Sequence, residues 1–299
     1  GVAGEAPLEA VREAVRRDVC QPLGLGLEQA AAAIIAIGND RMAGAIRMVT
    51  LARGFDPRDF TLFAFGGAGP MHAAALAREL SIPRVLIPAR PGITNAIGCI
   101  TADLRHDYVN TLNAPLSRLD ISQTKVILES QIEEGRAIIE REAVAVSTID
   151  CLHFADMQFE GQTHLLTIAI SGPDVTVAEL QTAFEAAYLE RFHVELPEIR
   201  AVLVSLHSAV IGRRPGAPLE ALAGGGDQAS LGDAERGRRP VWFGGEIHDT
   251  PIFARHRLAL DAAFDGPAII EQLDCTTVVE PGNHVALDDL GNLVIEVTL

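Results

Sequence analysis

The sequence predicts an α/β protein that carries an α+β unit and a small C-terminal β domain. Three observations lead there. A short apolar run, Leu62 to Phe65, enters the turn Gly66-Gly67-Ala68-Gly69-Pro70 and passes at once into a helical stretch, Met71 to Leu80. Strand, glycine turn and helix in that order is how α/β folds aim backbone amides at a phosphate or nucleotide. Residues 1 to about 115 alternate helix and strand, the order expected of a mainly parallel, helix-covered sheet. From about 120 the pattern becomes helix, two strands, helix, strand, and beyond 240 it becomes short strands between Gly, Pro and Asp turns. These changes divide the chain into 1–118, an α+β unit over 119–212, a linker over 213–240 and a β domain over 241–299.

Leu8 to Arg17 already reads as helix, and residue 1 is Gly rather than Met. A piece of a longer protein, or a processing product, is expected. Leu27, Ala31, Ile34, Ile35, Met42, Ile46 and Val49 recur at helical spacing over 27–53, and Gly54 stands where a C-terminal cap belongs. Asp56 to Asp59 is a turn, and the glycine motif follows. Pro70 suits the first helical position, where no amide donor is lost. Arg84 to Pro88 is a second short strand. Gly92 ends a turn, Thr94 or Asn95 caps the next helix, and Arg105 to Thr111 alternates like a strand. Ile121 to Ala143 is an amphipathic helix. Thr148 to Phe159 and Thr163 to Ile170 are strands around the hairpin Glu160-Gly161-Gln162. Val175 to Phe192 is a helix opened by Thr176, and Ala201 to Ile211 is an apolar-rich strand. Between 212 and 240, two Gly-Arg-Arg-Pro runs and Gly224-Gly225-Gly226 read as a surface linker.

Composition narrows the function. The chain has 299 residues, 48% of them hydrophobic, and a formal net charge of −16. Such an acidic chain is a poor general binder of nucleic acid or anionic membrane. Cys20, Cys99, Cys151 and Cys275 are scattered with no CxxC pair, so neither zinc nor a disulfide framework is implied, and reduced thiols in a cytoplasmic protein are expected. The most apolar stretch, Ala30 to Ile37, is too short to span a bilayer, and no signal peptide is visible.

The glycine motif is neither a Walker A loop, since the Lys-Ser/Thr ending is missing, nor a dinucleotide GxGxxG. Two readings of its residues stand side by side: a ligand cradle, and a tight strand–helix connection without a ligand. His72 lies in the first turn of the following helix, where the positive helix end favours a neutral ring that can bond a ligand. Asp103 with Arg105-His106-Asp107 suggests either a water-mediated Mg²⁺ contact or, more simply, an ion-paired strand edge. His153, Glu160 and His164 flank the hairpin without a spacing that demands metal. His248, Asp249 and His256 read as surface polar groups. Ser205 and Cys275 lie in no nucleophile turn and read as buried strand residues.

Several stretches together resemble a known family. Asp56 to Ala73, with Phe65-Gly66-Gly67-Ala68-Gly69-Pro70-Met71-His72 at its centre, resembles the signature of the hydantoinase/oxoprolinase A-type proteins. Pro91-Gly92 through Gly98, Ala102 to Val109, Phe159 to Gln162, Phe192-His193 with Pro197-Glu198, and Gly266 to Gly282 agree in the same order. The resemblance implies that the first part is the second lobe of an actin/hexokinase-like ATPase fold. It places the nucleotide role on Gly66, Gly67, Ala68 and Gly69, with His72 nearby. It also implies ATP and Mg²⁺, a lactam or cyclic-imide substrate such as 5-oxoproline or a hydantoin, and phosphorylation of an amide oxygen before ring opening. A B-type subunit or domain completes the reaction in this family.

Departures from the family pattern matter. Nothing like Asp-x-Gly-Gly-Thr occurs, so the first ATPase lobe is expected in the same or a separate chain. Gln158 replaces a common arginine, and Leu165 stands where an acidic residue is frequent. Two alternatives accompany this reading: the ATP-binding subunit of an acetone- or acetophenone-type carboxylase, and a non-catalytic assembly or nucleotide-sensing subunit.

Overall fold

The computed structural model describes residues 8–194, 200–216 and 230–299. The Pro197-Glu198 landmark and the Gly224–Gly226 run lie outside the described residues. In chain order, α1 (Leu8–Val15) continues through a π-helical turn (Arg16–Cys20) into α2 (Gln21–Leu23), which stops at Gly24 in the left-handed conformation. Then come α3 (Leu27–Val49), β1 (Thr61–Phe63), α4 (Gly69–Glu79), β2 (Arg84–Ile87) and α5 (Thr94–Thr101). The middle of the chain gives β3 (Leu104–Pro115), α6 (Ile121–Arg141), β4 (Thr148–Phe159), β5 (Leu166–Ile170), α7 (Val177–Phe192) and β6 (Ala201–Arg213). The last part gives α8 (Leu231–Ala234), β7 (Glu235–Phe243), β8 (Glu246–Ala254), β9 (Ala263–Asp265), β10 (Ala268–Gln272), β11 (Cys275–Val279), β12 (His284–Leu287) and β13 (Leu293–Glu296).

The chain divides into two compact units, residues 1–99 with 218–299, and residues 100–217. This differs from the segments expected from sequence. The strands after 241 do not stand apart: one five-stranded sheet runs β1-β2-β13-β12-β9, and a second runs β11-β10-β8-β7. The expected mainly parallel sheet is also corrected. β1 pairs with β2 in parallel, but β13 lies antiparallel on the other side of β2. β7 begins inside the expected linker. Its charged residues suit an edge strand, and Arg238 donates to Asp249 on β8 (2.6 Å).

The core of this unit collects Ala73, Leu76, Ala77 and Leu80 around α4, Val85 and Ile87 of β2, Ile270 of β10 and Ile295 of β13. α3 contributes less than its periodicity predicts. Only Ala30, Asn39 and Ala43 are buried, while Ile34, Ile35, Ile37 and Val49 are exposed.

The second unit is an antiparallel sheet ordered β3-β6-β4-β5. α6 approaches β6 closely enough that a Cβ on Gly135 would sit 2.5 Å from Val210 Cγ2. Phe159 and Phe184 pack edge-on with ring centroids 4.8 Å apart, and Tyr188 packs on Phe159 at the same separation. The Tyr188 hydroxyl donates to Gln162 Oε1 in the hairpin (3.1 Å). α7 opens on the expected residue: Thr176 Oγ1 accepts from Glu179 N–H (3.2 Å), and Glu179 Oε2 accepts from Thr176 N–H (2.7 Å). Among the described residues no single helix is long and apolar enough to cross a membrane.

Candidate functional site

β1 and β2 run parallel, so their C-terminal ends present two turns on the same edge, the place where open α/β sheets bind ligands. The two turns are tied together. Gly66 N–H donates to Pro91 O (2.8 Å), and Ala64 N–H donates to Leu86 O (2.9 Å). Gly66 has φ +81°, which a residue with a Cβ adopts only under strain. α4 starts at Gly69, so Pro70 is its second residue rather than its first. Ala68 at the N-cap offers no side-chain acceptor to the first-turn amides. Gly67 and Ala68 are exposed. The turn is thus an open backbone surface at the positive end of a helix, which fits a phosphate-bearing ligand.

His72 is half-buried behind this turn. Its Nδ1–H donates to Oδ1 of Asn39, the buried polar residue of α3 (2.8 Å). The bond joins α3 to α4, and in this tautomer Nε2 is left as the acceptor.

The glycines have a second use that the sequence does not announce. Asp274, in the turn between β10 and β11, lies against both turns. A Cβ on Gly92 would fall 2.1 Å from Asp274 Oδ2, and one on Gly67 would fall 3.3 Å from Asp274 O. Gln272 Nε2–H donates to Asp274 Oδ1 (2.9 Å) and fixes the carboxylate. Two motifs some two hundred residues apart, Gly66–Gly69 and Asp274–Thr277, therefore meet in one place. Cys275 is buried there, and burial pushes its thiol pKa up, so it is held as a neutral core group.

Beside Asp274 a cavity of about 410 Å³ is lined by Arg90, Arg255, His256 and Gln272, among others. Sequence reasoning passed over Arg255. The guanidinium is buried, with Nη2 donating to Gly291 O (2.8 Å), Pro88 O (3.1 Å) and Ile87 O (3.3 Å). Burial pushes its pKa down to about 10, so it stays a cation at neutral pH. A larger groove of about 800 Å³ runs between α3, α4 and the β7–β8 hairpin, past Ile35, Asn39, Trp242 and His248. Neither of these two cavities is lined by Gly66–Gly69 or His72.

The remaining residues singled out from sequence do not assemble into chemistry. Asp103 accepts from Arg213 Nη1 (2.8 Å) and from Arg214 N–H (2.9 Å), and Arg105 pairs with Asp107 (2.8 Å). His153 is buried and bonds Ser208 Oγ (2.8 Å), whereas His164 packs on Phe192. Ser205 faces Thr111 Oγ1 at 3.5 Å. A polar set that the sequence did not flag is Asp156, which accepts from Thr167 Oγ1 (2.6 Å) and from His207 Nε2. Among the described residues, no three His, Cys, Asp or Glu side chains gather to hold a metal ion.

Family models match most of the chain. Residues 2–108 match Hydantoinase/oxoprolinase, and residues 128–294 match the Hydantoinase/oxoprolinase C-terminal domain. The chain belongs to the hydantoinase/oxoprolinase family. It is 31% identical to the caprolactamase subunit alpha of Pseudomonas jessenii over 288 residues, covering 94% of this chain and 41% of that one. The crystal structure of the ATP-dependent caprolactamase from that organism superposes with a TM-score of 0.76 at 30% identity, over 96% of this chain and 42% of that chain. The acetophenone carboxylase gamma subunit of Aromatoleum aromaticum is 29% identical over 98% of this chain and 42% of its own length. A nucleotide-free acetone carboxylase structure shares the fold, with a TM-score of 0.71 at 23% identity over 99% of this chain and 44% of that chain. This hydantoinase/oxoprolinase-family chain thus spans about two fifths of the length of these relatives, which are named as subunits of larger assemblies. The mixed α/β architecture agrees with the lobe expected from sequence.

Proposed function

We propose that this chain forms the second ATPase lobe and the adjoining units of a subunit that phosphorylates a lactam or cyclic-imide carbonyl oxygen before ring hydrolysis. The observation that carries the reading is the glycine turn. Gly66–Gly69 lies open at the C-terminal end of a parallel strand pair, leads into a helix with no side-chain cap, and is backed by Asp274. The backbone amides there would hold nucleotide, with His72 behind them braced by Asn39. ATP supplies the phosphoryl group that turns a poor leaving oxygen into a good one. Phe63 and Phe65 near the turn, and Ile34, Ile35 and Ile37 on α3, are exposed apolar surface suited to a further lobe that closes over the nucleotide. The partners in this reading are that first ATPase lobe, a B-type subunit and a small-molecule substrate, and the compartment is the cytoplasm.

The test is calorimetric titration of ATP–Mg²⁺ into the chain alone and with the first lobe. Tight binding only with the lobe, lost in Gly67→Val, supports a split site. No binding in either case, with the lobe shown to associate, removes the ATPase reading and leaves an assembly subunit. Similarity to the acetophenone carboxylase gamma subunit keeps a second chemistry in play. Lactam-dependent ATP turnover favours hydrolysis, whereas turnover that needs a ketone and bicarbonate favours carboxylation.

A further inference from the structure

The cavity beside Asp274 contains an imbalance that the fold does not resolve. Arg255 is more than nine-tenths buried, with a relative exposure of 7%. Its Nη2 is spent on three backbone carbonyls, but Nη1 has no hydrogen-bond partner. No carboxylate pairs with it among the described residues, because Asp274 is drawn toward Gln272 Nε2 and Asp288 bonds the Asn292 side chain (2.8 Å). Two further charged side chains line the same cavity, the cationic Arg90 and the carboxylate of Asp274, whose Oδ1 is taken up by Gln272 Nε2–H, and His256 lines it as well. Gln272 Oε1 is buried in the same wall and is likewise without a partner. A buried guanidinium N–H group lacking an acceptor and a buried amide oxygen lacking a donor thus belong to two residues that line one cavity of about 410 Å³. Orphaned buried polar atoms of this kind are rare in folded chains and mark a missing ligand or ordered water.

We infer that this cavity is a binding site for a small oxyanion that also carries a hydrogen-bond donor: a phosphate group retaining a proton, or a carboxylate with a neighbouring hydroxyl or N–H. One anionic oxygen accepts from Arg255 Nη1–H, and the donor meets Gln272 Oε1. Arg90 adds charge at the mouth, where it is exposed. A hydrogen bond from a charged guanidinium N–H to an anionic oxygen is stronger than one to a neutral acceptor, which favours such a ligand over a neutral one. Asp274 separates this cavity from the glycine turn. Filling the cavity therefore bears on the turn that Gly67 and Gly92 make with that residue. The inference does not rest on nucleotide use, and either one stands if the other fails.

The test is titration of the full chain with inorganic phosphate and, separately, with glycolate, at constant ionic strength with chloride as control. It is read on the side-chain resonances of ¹⁵N-labelled arginine. The expected result is one slowly exchanging guanidinium signal that shifts saturably with phosphate, with glycolate, or with both, and not with chloride. The anion that saturates first identifies the source of the ligand. Arg255→Lys keeps the charge but loses the planar group that can hold the backbone carbonyls through Nη2 and the anion through Nη1 together, and should weaken binding by about tenfold or more. If that variant does not fold, Arg90→Ala alters an exposed residue and should weaken binding by about twofold to fivefold. Gln272→Leu should lower the affinity for glycolate while leaving that for acetate unchanged. No saturable shift with either anion, or equal binding by the unaltered chain and the variants that fold, overturns the assignment.

Discussion

Asp274 occupies the space that a side chain at Gly92 would need: a Cβ built on Gly92 would lie 2.1 Å from Asp274 Oδ2 and 2.7 Å from Asp274 Cβ. The Pro91-Gly92 turn and the β10–β11 turn are thus fitted to each other, and through Gly66 N–H and Pro91 O the glycine motif is fitted to both. Gly92→Ala should therefore force the Asp274 turn outward and cost about 1–3 kcal/mol in urea unfolding. Gly92→Ala combined with Asp274→Gly should recover part of that loss. A strictly additive pair would show that the two residues do not share the space.

A second site tests a local signal in isolation. Thr176 and Glu179 exchange bonds at the start of α7, far from the glycine turn in sequence. Thr176→Ala should lower stability by about 1 kcal/mol, and Thr176→Ser by much less. Unchanged denaturant midpoints for Thr176→Ala would mean that the packing of Leu180, Phe184 and Tyr188 alone holds the helix end.

These two sites also show which parts of the structure the sequence could convey. α7 was legible because its start is written locally, as a Thr with a Glu three residues later. β4 was legible because its strand run ends in Glu160-Gly161-Gln162, with Gly161 at φ +81°. The joining of β13 to β2 was not legible. Leu293–Glu296 pairs with residues some two hundred positions away, and alternation alone carries no partner's address. β7 was hidden for a different reason. Arg236, Arg238, Arg239 and Pro240 look like linker composition, yet charge and proline are also what an exposed edge strand tolerates. At the site, the glycine turn was legible as a backbone device. Arg255 was not, because its burial depends on carbonyls from two distant turns, Ile87-Pro88 and Gly291.

Asp56, just ahead of β1, offers a spectroscopic check on the turn that feeds the glycine motif. Its carboxylate accepts from Arg58 Nε (3.0 Å) and from Arg58 N–H (3.0 Å), and these bonds hold its pKa down to about 2. The carboxyl carbon of Asp56 should titrate near that value. Arg58→Ala should move it back toward the ordinary aspartate value of about 3.9. A normal midpoint in the unaltered chain would show that the pair does not persist in solution.

His153 makes a prediction about pH. Its ring is buried in the second unit, with Nδ1 bonded to Ser208 Oγ and Gly172 against its edge. Burial lowers its pKa below the ordinary histidine value, so the native state favours the neutral ring. The unfolded chain takes up this proton at a higher pH than the native one. The unfolded state therefore binds more protons between the two pKa values, and stability rises with pH across that interval. The contribution is fully present above the unfolded value of about 6.5 and is lost as pH falls from there through the native value. Urea unfolding followed from pH 7.5 to 5 should show a decline that is shallower in His153→Gln, whose amide can keep a bond to Ser208 and does not titrate. Carboxylates that weaken on acidification act equally in both proteins, so the difference between the two slopes isolates this one ring. Parallel slopes would mean that His153 titrates alike in the folded and unfolded chains.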